Sequence, residues 1–342
     1  MKNNNKISFA DLNDSDEIMS FIDLEWKKDH ILATDRNFFL SEYRNSDKLN
    51  FVISKSPGKK INAILGFLKS SDDELASVWT TMWKVSSKAN SIMLGVELLR
   101  YLKSHSYRCL MSNGISAKTA EIYEYLGFHT GVMSHFYLAN RGIRDHKIAQ
   151  FITGIPRVKI KECVVSSLQV RLLSASDLSS SFNFDKYKFT VPCKDFEYFK
   201  RRFFKHPIYE YQIYGVYEEN KILSIMVTRM ISVGEDKCIR IVDFYGEEQV
   251  FSTFIGHLEK VMKSSKAEYI DFYCAGLNED LVEQAGFSRV NENVVIPNYF
   301  EPFVKKNCTI SYFVDGENVG NFRMYKADGD QDRPSLIGNN TI

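Results

Sequence analysis

Ser116-Ala117-Lys118-Thr119-Ala120-Glu121-Ile122-Tyr123-Glu124-Tyr125-Leu126-Gly127-Phe128 is the stretch on which the fold turns. It reads as a short helix closed by a Gly-Phe dipeptide, and it follows a strand and a long amphipathic helix. Met93, Val96, Leu99 and Leu102 mark the apolar face of that long helix. Upstream lie a strand-like segment, Ser77 to Val85, and a strand pair, Asn50 to Ser54 and Asn62 to Lys69, joined by a turn containing Ser56-Pro57-Gly58. At the start, Lys6 to Ala10 reads as a strand. It leads into Asp11-Leu12-Asn13-Asp14-Ser15-Asp16, a helix start rich in capping residues.

The same order recurs. Leu168 to Leu173 precedes Ser174-Ala175-Ser176-Asp177-Leu178, and strands Tyr211 to Tyr217 and Ile222 to Arg229 follow. A helix with Phe254, Leu258 and Met262 on one face comes next, and the echo closes on Gly286-Phe287. The two Gly-Phe pairs are about 159 residues apart, far beyond a solenoid period of roughly 20–50. Two copies of one domain explain the echo: 1–140, a connector 141–166 carrying Arg141, Arg144, Lys147, Pro156 and Lys159, and 167–342. The early strand pairs read as meanders, so the expected class is α/β with mixed sheets of the α+β kind and helices packed on them.

A chain of 342 residues with 44% apolar and 25% charged residues is ordinary for two globular domains. Its net charge of +1 supplies no global field for nucleic acid or an anionic membrane. No apolar run reaches the ~18 residues of a membrane span, and Met1 to Lys6 lacks a signal-peptide core. The six cysteines are scattered without a C-x-x-C pair, which reads as reduced thiols and a cytoplasmic setting. The seven histidines show no metal-ligand spacing, so no metal site is expected.

The opening stretch resembles the late helix of the GNAT superfamily of N-acetyltransferases, whose pattern there is Asn-x-x-Ala-x-x-x-Tyr-x-x-x-Gly-Phe. Tyr123, Gly127 and Phe128 match it, with Ser116 and Thr119 at the Asn and Ala positions. The resemblance implies two tandem GNAT-like domains and an acetyl-CoA or other acyl-CoA donor. In the family the tyrosine protonates the departing CoA sulfur, and that role falls by resemblance to Tyr123. The bland reading of Tyr123 is a packing residue beside Leu126. The family's glycine-rich loop, which holds the CoA pyrophosphate on backbone N–H groups, aligns with Asn90 to Gly95, where Ser91 and Gly95 are the candidates. Trp83, Lys84 and Val85 fall where the family pairs its strand with pantetheine.

The second half departs further. Glu247 and Glu248 stand at the mouth of the corresponding loop and would repel a diphosphate, and Val282 replaces the tyrosine. The expectation is a degenerate copy serving acceptor binding or assembly.

Acceptor-side candidates come from two segments. Trp26, His30 and Asp35 lie in the region that lines the acceptor groove in the family: Trp26 to stack on a sugar, His30 or Asp35 to assist deprotonation. Their bland alternatives are a helix anchor for Trp26 and a helix cap for Asp35. Near the C-terminus, Asp330 and Arg333 sit in a dense polar run suited to a hydroxyl-rich sugar, with Arg333 for a carboxylate or phosphate. A solvated terminal turn is the alternative there. Lys200-Arg201-Arg202 and Lys205-His206, among Phe199, Phe203 and Phe204, form a basic-aromatic patch, with a solvated helix face as its default.

The function implied is direct N-acylation of an amine acceptor, with a resemblance to enzymes that acylate nucleotide-linked amino sugars for surface polysaccharide. An aminoacyl-tRNA-dependent transferase and a non-catalytic GNAT-like binding or scaffold protein stand as alternatives.

Overall fold

The structure, a computed structural model, describes residues 5–73, 75–89, 93–105, 107–156, 167–316 and 320–335. Ser91 and the connector residues 157–166, Lys159 among them, lie outside the described residues. The main elements of the first half are β1 (Lys6–Asp11), α1 (Ser15–Phe21), α2 (Arg36–Tyr43), β2 (Lys48–Lys55), β3 (Ile61–Lys69), β4 (Ser77–Val85), α3 (Leu94–Lys103), β5 (Cys109–Ile115), α4 (Ala117–Tyr125), β6 (His129–Val132) and β7 (Ser134–Ala139). Those of the second are β8 (Leu168–Leu172), β9 (Gln212–Glu218), β10 (Lys221–Val233), β11 (Asp236–Gly246), α5 (Phe251–Ser265), β12 (Tyr269–Ala275), α6 (Glu279–Gln284), β13 (Ser288–Arg289), β14 (Ser311–Val314) and β15 (Met324–Tyr325).

Two mixed sheets result, in the orders β1-β2-β3-β4-β5-β14-β6 and β8-β9-β10-β11-β12-β7-β13. In each, four antiparallel strands lead to one parallel pair, β4/β5 or β11/β12, whose crossover is the long helix α3 or α5. The repeated helix starts are repeated structurally too. Asp11 with Asp14, and Ser174 with Asp177, each form a reciprocal capping box that satisfies backbone N–H groups at the entry to a helix.

One strand of each sheet comes from the other half. β14 enters the first sheet between β5 and β6, and β7 enters the second between β12 and β13. Phe313 on β14 is fully buried with Tyr123 and Phe128, while Phe136 on β7 is fully buried with Phe272 and Phe287. Each half therefore completes the core of its neighbour.

The face of α3 differs from the expected stripe. Leu94, Leu98, Leu99 and Leu102 are buried, whereas Met93 is 46% exposed at the N-cap and Val96 is only partly covered. Starting the 3.6-residue period at Leu94 instead of Met93 restores a single apolar side. Between the halves, Trp79 and Met111 of the first sheet share a cluster with Tyr198, Phe199 and Tyr273. Among the described residues, no helix is long and apolar enough to cross a membrane.

Candidate functional site: a splayed strand pair beside a polar cleft

β4 and β5 pair only at Ser77↔Cys109, Val78↔Leu110 and Trp79↔Met111, then part. The cause is a bulge. Leu65 faces Trp83 and Phe67 faces Thr80, so Thr81 and Met82 together oppose the single residue Gly66. A Cβ on Gly66 would lie 2.6 Å from Thr81 Oγ1, so any larger residue opposite the bulge would have to displace that side chain. Beyond Trp79 the β5-facing edge of β4 has no strand partner among the described residues. Lys84 and Val85 lie on this stretch, held on their other side by Ile64 and Ala63.

Trp83 and Tyr123 stand at the same opening. The Trp83 indole donates to the Gly95 carbonyl at 3.1 Å, and a Cβ on Gly95 would sit 3.0 Å from Nε1. Gly95 thus makes room for an indole over the first turn of α3. Tyr123 is 3% exposed, stacked on Phe313 at 4.0 Å and 5.4 Å from Trp83. Burial pushes its phenol well above the usual tyrosine range, so the group is protonated at neutral pH. A protonated phenol is the form that gives up a proton.

The second sheet repeats the bulge. Val227 faces Asp243 and Thr228 faces Ile241, and β11 leaves β12 after Ile241↔Phe272. Here the opening is filled. β15 pairs with β12 through Cys274↔Tyr325 and Ala275↔Met324, and Ala327 N–H donates to Val242 O at 2.8 Å. Below this plug, Lys194 meets Asp243 at 2.7 Å and Asp328 at 2.8 Å, all three buried. Burial pushes Asp243 up to about 7 against the pull of Lys194, and Asp328 moves in the same direction. A diphosphate-bearing donor does not fit an opening occupied by the chain's own strand.

Between the halves lies a cleft of about 370 Å³. Trp26 and His30 reach it from the first half, and Asp330 and Arg333 from the C-terminal segment, which brings together four of the five acceptor-side candidates. The fifth, Asp35, is not among the lining residues. Its carboxylate accepts from Phe38 N–H at 2.9 Å and caps α2. His30 also has a structural task, since Nδ1 accepts from Leu32 N–H at 3.2 Å while Trp26 packs edge-on at 4.8 Å. Burial, with Arg333 and Lys27 nearby, lowers the His30 pKa to about 3, so the ring takes up no proton near neutrality.

Arg333 is engaged rather than free. It donates to Asp330 at 3.1 Å and to the Tyr43 hydroxyl at 2.9 Å, and that hydroxyl lies 3.1 Å from Thr81 Oγ1. Two side-chain contacts therefore join the wall of the cleft to the bulge of β4. The terminal polar run is not a solvated turn, since Asp328 and Asp332 are fully buried or nearly so. Burial opposes ionisation of Asp332, but Arg229 and Arg202 override it and hold the carboxyl well below its usual range.

The basic-aromatic patch divides. Phe199, Phe203 and Arg202 are buried, with Arg202 donating to the carbonyls of Asp332 at 2.8 Å and Ala327 at 3.3 Å. Lys200 and Arg201 stay at the surface beside Glu197 and Asp72, on the rim of a second cavity.

Tyr43, Thr81, Arg229, Asn298 and Lys326 escaped the sequence reading. They come from separate segments with no shared spacing, and only the density of Asp and Arg after Tyr325 hinted at the cleft.

No family model and no curated protein sequence matches the chain. Solved structures match its fold. One is a GCN5-related N-acetyltransferase from Anabaena variabilis ATCC 29413, with TM-score 0.54 and 8% identity over 91% of this chain and 72% of that one. The two mixed sheets of this chain have the fold of two GNAT-like domains. A protein from Enterococcus faecalis V583 described as a "Probable N-Acyltransferase" aligns equally well, with TM-score 0.54 and 8% identity over 92% and 74% of the two chains. At such identity the likeness is one of GNAT fold, and chemistry has to be argued from the site.

Proposed function

We propose that the chain is an acyl-CoA-dependent N-acyltransferase with a single active site, formed by the opening of β4 from β5 and fed by the cleft between the halves. The observation that carries this reading is the stretch of β4 beyond Trp79 that has no strand partner on its β5 side, which sets Trp83 beside Tyr123 and is tied through Thr81, Tyr43 and Arg333 to the cleft.

In this reading the donor's pantetheine amides pair with the edge at Trp83, Lys84 and Val85, and Ser91 and Gly95 meet its diphosphate. The acceptor lies in the cleft against Trp26, His30, Asp330 and Arg333, with Asp35 supporting the wall through α2. The acceptor nitrogen attacks the thioester carbonyl, the C–S bond breaks, and Tyr123 gives its proton to the sulfur as the C–N bond forms. The amine arrives neutral, and the proton its nitrogen sheds as the amide forms passes through water back to the Tyr123 phenolate, since His30 is too weak a base for the task. The 370 Å³ cleft suits a small amine of amino-sugar size. A nucleotide-linked amino sugar for surface polysaccharide, acylated in the cytoplasm, is the acceptor we favour. The chain divides functionally into 1–140, the connector 141–166 and 167–342, with the last half shaping the acceptor side.

Native mass spectrometry and calorimetry with acetyl-CoA test the reading. Binding of one donor per chain, with CoA release on adding an amino-sugar nucleotide, supports it. Absence of any acyl-CoA binding refutes it and leaves a GNAT-like binding protein.

A further inference from the structure

We infer that the floor of the cleft between the halves is an oxyanion subsite, in which Lys326, with Arg229 and Asn298, receives a carboxylate or phosphate of the bound ligand. The inference rests on the proposed acceptor role of this cleft and specifies its chemistry.

It starts from an imbalance between donors and acceptors. The carboxylates lining the cleft are already satisfied. Asp332 takes Arg229 at 2.7 Å and the Tyr211 hydroxyl at 2.9 Å, and Asp330 takes Arg333 at 3.1 Å. Glu301 takes the Tyr209 hydroxyl at 3.1 Å and Ser335 N–H at 3.4 Å. The donors are not exhausted. Lys326 is 2% exposed and lines the cleft, yet its ammonium has no hydrogen bond or ion pair among the described residues. Arg229 Nε and Asn298 Nδ2, on two other lining residues, are buried without a partner. Buried polar hydrogens without acceptors are costly, and two such groups beside an amine with no ion pair, around one cavity, call for an acceptor from outside the chain.

The charge balance points the same way. The charged groups around Lys326 are Arg229, Arg240, Asp271 and Asp332, with the Tyr273 ring 5.6 Å from its nitrogen and His135 bonded to the far side of Asp271. Arg240 is matched by Asp271 at 2.6 Å and Arg229 by Asp332, so Lys326 is the cation left over. Burial, then Arg240, lowers its pKa to about 7. An anion bound beside it reverses that shift and draws a proton onto the amine.

Calorimetry of the full chain with inorganic phosphate and, separately, with glucuronate tests this without any acyl-CoA. At pH 8, in two buffers of different ionisation enthalpy, one of these ligands is expected to bind with net proton uptake of up to about one per site. Phosphate or glucuronate as the better ligand identifies the oxyanion. Lys326→Met, which removes an amine that has no ion-pair partner, is expected to weaken binding about 10- to 100-fold and abolish the uptake. Circular dichroism checks that it folds, and if it does not, the proton uptake of the unaltered chain decides alone. Failure of both ligands to bind at millimolar concentration, or binding without proton uptake, overturns the inference. Oxyanion binding in a chain that ignores acyl-CoA would refute the transferase reading and leave this subsite standing. Acyl-CoA binding with neither oxyanion bound would do the opposite.

Discussion

The two halves build the same opening and treat it differently. In each sheet a bulge forces the fourth strand of the meander away from its parallel partner, at Thr81–Met82 in the first and around Val242 in the second. In the first, the freed stretch carries the Trp83 indole, which lies against the buried Tyr123 phenol and the start of α3. In the second, β15 lies in the gap and Ala327 bonds to the bulge itself. A strand parting that can admit a linear ligand can equally admit a strand, because both satisfy the same row of backbone groups. The duplicated fold thus leaves one opening free of a strand, and the second opening holds the C-terminal segment in place beside the cleft.

The sharpest way to break that contrast is at Tyr123. Tyr123→Phe keeps the ring stacked on Phe313 but removes the acid, and turnover is expected to fall about 10²- to 10⁴-fold with acyl-CoA affinity unchanged. Full turnover in steady-state kinetics would remove Tyr123 from the chemistry. On the plugged side, Lys194→Met strands Asp243 and Asp328 without a cation, and denaturant unfolding should show a loss of about 3–5 kcal/mol. A loss below about 1 kcal/mol would mean that the plug does not depend on this cluster.

The strand exchange offers a symmetric pair. Phe313→Ala and Phe136→Ala should each cost about 3–5 kcal/mol, and hydrogen exchange should show each destabilising the half opposite in sequence to the residue changed. Smaller still is Gly95→Ala. Its Cβ crowds the Trp83 indole at a cost of about 1–3 kcal/mol, partly offset by about 1 kcal/mol of helix propensity. Calorimetry should show a several-fold loss of acyl-CoA affinity. Asp35→Ala should cost only about 1 kcal/mol of stability in denaturant unfolding, as a lost helix cap does.

Much of this contrast was legible in the sequence. Asp11 with Asp14 and Ser174 with Asp177 announce the helix starts, and the strand pairs and Gly-Phe signatures carry the duplication, because these are local patterns. The strand exchange was not legible. β7 and β14 are short and apolar like any core strand, and nothing in Ser134–Ala139 or Ser311–Val314 says which sheet completes which. The fate of the second opening was hidden for the same reason. Glu247, Glu248 and Val282 signal a degenerate site, but the plug itself comes from residues about 80 positions downstream of the bulge. In the cleft, Trp26, His30, Asp330 and Arg333 were singled out singly and meet in space. Lys326 was passed over because its meaning lies in what fails to surround it.

Hydrogen–deuterium exchange of the full chain with and without saturating acetyl-CoA tests the one-open-site account most directly. The account predicts slowed exchange along Thr81–Val85 and at the start of α3, with no change along 242–246. Protection in the second opening, or in neither, would contradict it.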